Sequence, residues 1–490
     1  MKKFFVFLAF TSLLLLTACG AGNGNGSNGF GGSGGTTSQN FSASSLNGSY
    51  TYQIVGTNAG GSFTESAVFA ADGKGNIGNG TEDVVPGPAT GSFTGSYTLS
   101  SDGTGFVQLS SGEQFAITLV SASKFYMSEV DGNANASGTA EQQTATALTT
   151  APSGTFVFKI HTGGALIQSN PSTVAQVGAL TVSTGAVTGN EDVLTTGGSI
   201  ASLSVTGTFN APVSAGRGTG TLNDTNGTLT FQYYIIDGNH INIMPAALNA
   251  VSIFGYGRAE LQSGGPFTLA SLTSNFAFGS KGDTLNSGTG GSQTVGRFTA
   301  GGDGTISAGA EDFVLDGTSG SNDSFTGTYT MASSGRAAVT LTSSTLGTIP
   351  AIFWMVSPSR AFFLQDSATK VEDGTIDAQS TGSFSASDLT GQSAFFMDGF
   401  NSSAFIDRVG TLQWDTGGNV TLTEFITSSG QATNAQLPGT YTVSANGRVV
   451  ASVSTLSNNL VLYLTSDSSG YVLQNDGGTE VGGIASQQNP

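Results

Sequence analysis

One cysteine, two histidines and two tryptophans are all that 490 residues hold of those three types. The lone cysteine, Cys19, rules out a disulfide within the chain. The histidines, His161 and His240, have no cysteine or second histidine at ligand spacing, so no zinc site is expected. Charge is scarce too, at 9% of residues, and it leans acidic: 14 Lys and Arg face 32 Asp and Glu, for a formal charge of −18. No segment carries a basic stripe. That argues against nucleic acid as a partner and against docking on anionic lipid through the protein surface. Beyond the N-terminal segment no stretch places apolar residues at i, i+3, i+4 and i+7, so little helix is expected.

What the chain does have is glycine, 73 residues of it, together with much Ser, Thr and Asn. This balance suits an all-β protein, with Thr and aromatics in strands and Gly, Asn and Asp at corners. It also has a repeat. Gly95-Ser96-Tyr97-Thr98-Leu99 returns as Gly207-Thr208-Phe209, as Gly327-Thr328-Tyr329-Thr330-Met331 and as Gly439-Thr440-Tyr441-Thr442-Val443. The aromatics lie 112, 120 and 112 residues apart. A second landmark keeps the same period: a glycine followed five positions later by Gln143, Gln262, Gln379 and Gln487. Two markers of one period indicate four tandem units.

The first 19 residues read as an export signal: Lys2-Lys3, then an apolar run from Phe4 to Leu16 too short for a membrane span, then Leu16-Thr17-Ala18-Cys19. This ending resembles the lipobox of bacterial lipoproteins. The resemblance implies cleavage before Cys19 and lipidation of that residue with acyl chains such as palmitate. It further implies that Gly20, where some lipoproteins have Asp, is compatible with sorting to the outer membrane. Removal of Lys2 and Lys3 leaves 12 basic against 32 acidic residues, a net charge of −20. Residues 20–40 are almost wholly Gly, Asn, Ser and Thr, too polar to offset the entropy of ordering. They read as a flexible tether with an r.m.s. span of roughly 25 Å.

The units are expected at 41–143, 152–262, 266–379 and 382–487, each an antiparallel meander of about eight short strands. Such a meander closes as a barrel or folds as a β-sandwich; closure is expected here because it removes both sheet edges. Units of this length can bury a core of their own, so the reading is of beads on a string, packed end to end. The glycine-x-aromatic opening strand, strand count and unit length resemble the lipocalin and avidin type of up-and-down barrel. At the place of the lipocalin tryptophan stand Tyr50, Phe156, Phe276 and Ser393, so no ligand residues carry over from that family.

Candidate chemistry is confined to acids that repeat. Glu82-Asp83, Glu191-Asp192 and Glu311-Asp312 occupy one place in three units, and unit 4 keeps Glu424 there. Further acids, Glu141, Glu260 and Asp377, sit near the closing strands. Calcium is the metal such carboxylates would take, but the visible ligands are few, and strand ends hydrogen-bonded by an acid are the preferred explanation of the pattern. Adjacent strand residues face opposite ways, so one acid of each pair should point inward and the other into solvent. Paired aromatics such as Tyr50/Tyr52 and Phe156/Phe158 read as core, and Trp354 and Trp414 are the ones whose exposure would signal a ligand site. No catalytic residues and no obligatory cofactor are expected. The leading reading is a non-catalytic, lipid-anchored envelope protein for display, adhesion or binding of a glycan or protein. A barrel that binds a small lipid or glycan is the alternative, and an exported hydrolase a third. Oligomeric state is not legible in the sequence.

Overall fold

The computed structural model describes residues 40–490 apart from 87–89, 164–173, 196–198, 285–290, 316, 368–369, 381, 402–403, 429, 455–458 and 477–478. The expected signal peptide, Cys19 and all of the tether but Asn40 lie outside the described residues.

The fold is all-β, and each of the four repeats is a closed eight-stranded antiparallel barrel in which neighbours in sequence are neighbours in space. Barrel 1 runs from strand Asn47–Asn58 to strand Ala134–Gln142, which pair to close it. Barrel 2 runs from Gly154–Thr162 to Gly255–Leu261, with a two-residue strand, Val251–Ser252, beside His240–Leu248. Barrel 3 runs from Thr273–Thr284 to Lys370–Ala378, and barrel 4 from Gly391–Asn401 to Thr479–Gln487. Closure, not a sandwich, is thus how the meander satisfies its edges.

Alternation fills each barrel. Tyr50, Tyr52 and Ile54 point into barrel 1, Phe156, Phe158 and Ile160 into barrel 2, Phe276 and Phe278 into barrel 3, and Phe395 and Met397 into barrel 4. Each large side chain buried this way contributes about 1.5–3 kcal/mol. Trp354 and Trp414 are both buried, at 1% and 2% exposure, so neither marks an open site.

The repeated glycine-x-aromatic strand has a definite task. A Cβ on Gly95 would lie 2.5 Å from the carbonyl oxygen of Gln108 on the neighbouring strand, and one on Gly207 1.9 Å from that of Thr221. Glycine is required by this close approach. Two residues on, Tyr97 enters the core and its hydroxyl donates to the carbonyls of Ala43 and Leu46, 2.8 Å each. Ala43 opens a short 3-10 turn, Ala43–Ser45, and Leu46 caps its end; Leu46 and Phe41, on either side of the turn, are buried in the barrel 1 core. Tyr329 holds the turn Leu269–Ser271 in the same way, whereas the Tyr441 hydroxyl donates to the Asp415 carbonyl at 2.5 Å and stands 3.4 and 3.5 Å from the carbonyls of Ala386 and Leu389 beside the turn Ala386–Asp388. All three turns begin with a capping box, which satisfies backbone donors at their starts. Barrel 2 has Phe209, without a hydroxyl, and its turn Ala145–Ala147 has no box.

The closing glutamine is a second device. Gln143 Nε2 donates to the carbonyls of Ala215 and Ile235 in barrel 2, Gln262 to those of Ser334 and Met355 in barrel 3, and Gln379 to those of Asn446 and Leu464 in barrel 4. In the last barrel the residue in that place is Gln488, one beyond the Gln487 marked by sequence spacing. Its side chain donates to Asp102 and Leu119 of barrel 1. The barrels therefore do not form an open string. Barrel 1 meets 2, 2 meets 3, 3 meets 4, and 4 returns to 1. Each contact has an apolar cluster of its own, such as Val68, Val85, Tyr234 and Met244 between barrels 1 and 2. Outward-facing strand residues such as Val68, Val177, Val295 and Val409 are thus turned into these contacts in place of solvent.

Candidate functional site

The repeating acid pairs lie on the third strand of each barrel, where ladder pairing puts Glu82, Glu191, Glu311 and Glu424 in one position and Asp83, Asp192, Asp312 and Phe425 in the next. The glutamates turn inward and are buried at the polar ends of their barrels, apart from Glu82, which is half-buried. Burial pushes the Glu191 carboxyl up to about 8 and raises those of Glu82 and Glu424. The aspartates turn outward, but they meet the next barrel in place of solvent. Asp83 receives both Arg217 Nε and, at 2.6 Å, Arg217 Nη2, with the Tyr234 hydroxyl as a third donor. Asp192 is held by Arg336 at 2.8 and 2.6 Å and by Trp354 Nε1 at 2.8 Å. Asp312 is held by Arg448 at 2.7 and 2.6 Å and by the Tyr463 hydroxyl at 2.8 Å. Burial opposes the charge on Asp83, but its hydrogen bonds from Arg217, Tyr234 and Thr90 outweigh that and hold the carboxyl below its usual range. The members of each pair therefore face apart, and each aspartate serves as the acceptor of a bidentate arginine clamp. Among the described residues no group of three or more His, Cys, Asp or Glu is arranged to hold a metal ion.

Sequence reasoning missed the arginines, although a signal was there: Arg217, Arg336 and Arg448 lie 119 and 112 residues apart, the period of the barrels.

The closing-strand acids also reach the next barrel. Glu141 accepts from Arg258 Nη1 at 2.6 Å, Glu260 from Arg360 Nε at 2.6 Å, and Asp377 from the Tyr471 hydroxyl at 2.5 Å. In barrel 4 the corresponding residue is Ser486, 2.8 Å from the Tyr126 hydroxyl. These contacts surround a cavity of about 330 Å³ lined by all four barrels. Its walls come chiefly from the first and last strands of each. Lys159 Nζ and His161 Nδ1 of barrel 2 both bind Asp373 of barrel 3, at 3.1 and 2.7 Å. Lys281 of barrel 3 pairs with Asp398 of barrel 4 at 2.9 Å and stands 4.7 Å over the Tyr256 ring. Burial works against the charge on Glu260, yet Arg360 and Arg258 outweigh it and bring the carboxyl down to about 2. Asp373, also fully buried, is held well below its usual range by Lys159 and His161. Five of the 12 Lys and Arg left after Lys2 and Lys3, namely Lys124, Lys159, Arg258, Lys281 and Arg360, line this one space. A second cavity, about 190 Å³, lies at the polar end of barrel 2 beside Glu191 and Asp224.

The contact between barrels 4 and 1 differs from the others. Phe425 replaces the aspartate, and Thr104 and Thr118 stand where the arginine and its aromatic neighbour would be. Buried carboxyls gather nearby instead. Asp407 accepts from Ser137, and burial raises its carboxyl well above the usual range. Burial likewise pushes Glu129 up to about 9.

No protein-family profile matches this chain, and no curated protein matches it. Solved structures with some likeness include transferrin binding protein B of Neisseria meningitidis serogroup B, at 9% identity over 67% of this chain and 75% of that one, with a TM-score of 0.21. Transferrin binding protein B of Haemophilus parasuis matches at 8% identity over 74% and 82%, with a TM-score of 0.17. A protein of unknown function from Nostoc punctiforme matches at 11% identity over 46% of this chain and 96% of its own, with a TM-score of 0.14. At such scores no common arrangement is established, and no function passes from these proteins to this chain. Among the described residues no helix is long and apolar enough to cross a membrane, which says nothing of a membrane β-barrel.

Proposed function

We propose that this chain is a non-catalytic, lipid-anchored envelope protein that holds a four-barrel body on a tether for binding or display, with a protein or glycan as partner. Cys19 is the proposed lipidation site, residues 20–40 the tether, and the outer membrane the proposed location. The observation that carries this reading is how the chain disposes of its reactive groups. The barrel cores are filled by side chains, apart from the cavity at the polar end of barrel 2. The outward aspartates and most cations are engaged in barrel-to-barrel contacts, and both histidines are bonded to carboxylates. Such an arrangement builds a body whose product is its surface.

Cell fractionation of Cys19→Ser tests the anchor: release from the membrane fraction is expected, and unchanged fractionation would overturn it. Binding to glycan and protein arrays, with calcium and with a chelator, tests the binding role and the calcium candidates together. Calcium-dependent binding or melting would assign metal to the inward carboxylates Glu82, Glu191 and Glu311. Turnover of any arrayed glycan would move the chain into the hydrolase class.

A further inference from the structure

We infer that the central cavity between the four barrels is a binding site for a small hydroxylated carboxylate, of the size and kind of an acidic monosaccharide. The inference deepens the binding role proposed above and is independent of the anchor.

The four wall carboxylates are already engaged: Glu141 by Arg258, Glu260 by Arg360, Asp373 by Lys159 and His161, and Asp398 by Lys281. The cations opposite them have donors left over. An ammonium carries three N–H groups and a guanidinium five, more than these pairs use. Lys124 goes further. It lines the cavity, lies beside the Tyr126 ring and opposite Glu141 in the ladder, whose carboxyl it helps to hold down, and has no carboxylate oxygen within ion-pair distance among the described residues. Arg360 is balanced further by Asp377, 2.6 Å from its Nη1, so the spare donors of the wall are chiefly the ammonium N–H groups of Lys124, Lys159 and Lys281. A ligand that satisfies these ammonium groups offers acceptors, and a carboxylate does so with the stronger, charge-assisted bonds.

The net charge of the whole chain does not oppose this. Surface acids more than about 8 Å away are screened at physiological salt, while the cavity cations act at contact range. A simple inorganic anion would fill too little of the space. A volume of 330 Å³ lies at the lower end of the range for small-molecule pockets, about 300–1,000 Å³. The walls also offer ring faces, Phe362, Phe396 and Tyr471, and side-chain amides, Gln53 and Gln293. Rings of hydroxyl-bearing carbon fit faces and amides of this sort. A neighbouring cavity of about 90 Å³ shares Tyr256, Lys281, Gln293 and Asp398 with it and is lined further by His161 and Glu480.

Isothermal titration of the full chain with glucuronate and with glucose tests the inference. Saturable binding of glucuronate is expected, with glucose at least tenfold weaker. Lys124→Gln, at a side chain that holds no ion pair, should weaken glucuronate at least fivefold and leave the melting temperature unchanged. Absence of saturable glucuronate binding at millimolar concentration would overturn the proposal, as would equal binding of glucose. Binding untouched by Lys124→Gln would place the ligand elsewhere and overturn it too. None of these outcomes depends on whether Cys19 is lipidated.

Discussion

Phe106 of barrel 1 meets Phe425 of barrel 4 edge to face, ring centroids 5.1 Å apart, where the other three barrel contacts have an aspartate clamped by an arginine. This one substitution of chemistry distinguishes the contact that no connecting segment bridges. An aromatic pair of this geometry contributes about 0.5–1.5 kcal/mol beyond its buried area. The cycle is therefore joined by three ionic clamps and one aromatic seam.

The clamps should behave as buried ion pairs. Asp312 is fully buried and Arg448 is 15% exposed. Arg448→Ala leaves the carboxylate buried with two hydrogen-bond donors gone, so a loss of about 3–5 kcal/mol is expected. Asp312→Leu combined with Arg448→Met should recover most of it, since apolar residues of similar volume replace such pairs at little net cost. Urea denaturation measures both. A loss under 1 kcal/mol for the single variant would mean that the clamp is solvated in solution.

The tyrosine that holds the 3-10 turn can be tested by removing one atom. Tyr329→Phe deletes the donor to the carbonyls of Leu269 and Leu272, each 3.0 Å away. A cost of about 1–2 kcal/mol is expected, because two acceptors lose one shared donor. Faster amide exchange should appear at Leu272, whose N–H closes the turn on Leu269. Barrel 2 is the natural control, having Phe209 at this place. Phe209→Tyr should bring no gain, for its turn lacks the capping box that presents the carbonyls.

Stability should favour mildly acid solution. Burial raises Glu65 and Glu191 to about 8, Glu129 to about 9, and Asp407 well above its usual range. Each has a higher pKa folded than unfolded, where about 4 is usual. The folded state holds those protons more tightly, so their contribution is complete below about pH 4 and is lost as pH rises to 8–9. Glu260, brought down to about 2, and Asp373 act in reverse: their contribution is present above about pH 4 and is lost as pH falls. The two limbs cross at about pH 4–5. The melting temperature should therefore be higher at pH 5 than at pH 8, and Glu129→Gln should flatten the upper limb. A melting temperature that rises from pH 5 to pH 8 would refute the assignment of protonated carboxyls.

Much of this architecture was legible because it is periodic. The barrel count, closure and core aromatics follow from Gly95/Tyr97 and their three returns, since a strand buried on one face must repeat its inward residues. The clamps were half legible. Asp83, Asp192 and Asp312 were found by period, but alternation alone says only that they leave the barrel. It does not say that another barrel waits there. The cavity was not legible at all. Lys159, Lys281, Arg258 and Arg360 occupy positions that differ from barrel to barrel, and they meet only because the chain closes on itself. The offset between Gln487 and Gln488 has the same origin: two adjacent glutamines fit the spacing, and only the strand register chooses between them.

Closure of the cycle depends on contacts that no covalent connection backs up. Gln488 Nε2 lies 3.0 Å from the Asp102 carbonyl and 2.6 Å from that of Leu119, and Asn489 N–H donates to Val120 at 2.7 Å. Gln379 makes the same pair of bonds between barrels 3 and 4, but there the chain itself keeps the partners close. Loss of the glutamine should therefore have unequal results. With Gln379→Ala the connecting residues limit how far the barrels can part, and Ser380 N–H should stay bonded to Thr465. With Gln488→Ala two carbonyls are left unsatisfied at a contact free to open. About 1.4 kcal/mol lost there means a tenfold larger open fraction. Amide exchange should accelerate about tenfold at Asn489 and at Gly430, whose N–H donates to Asn135 across the same seam. If the two variants exchange alike at their own contacts, the cycle is held by the apolar clusters rather than by the glutamines, and the seam is no weaker than its three counterparts.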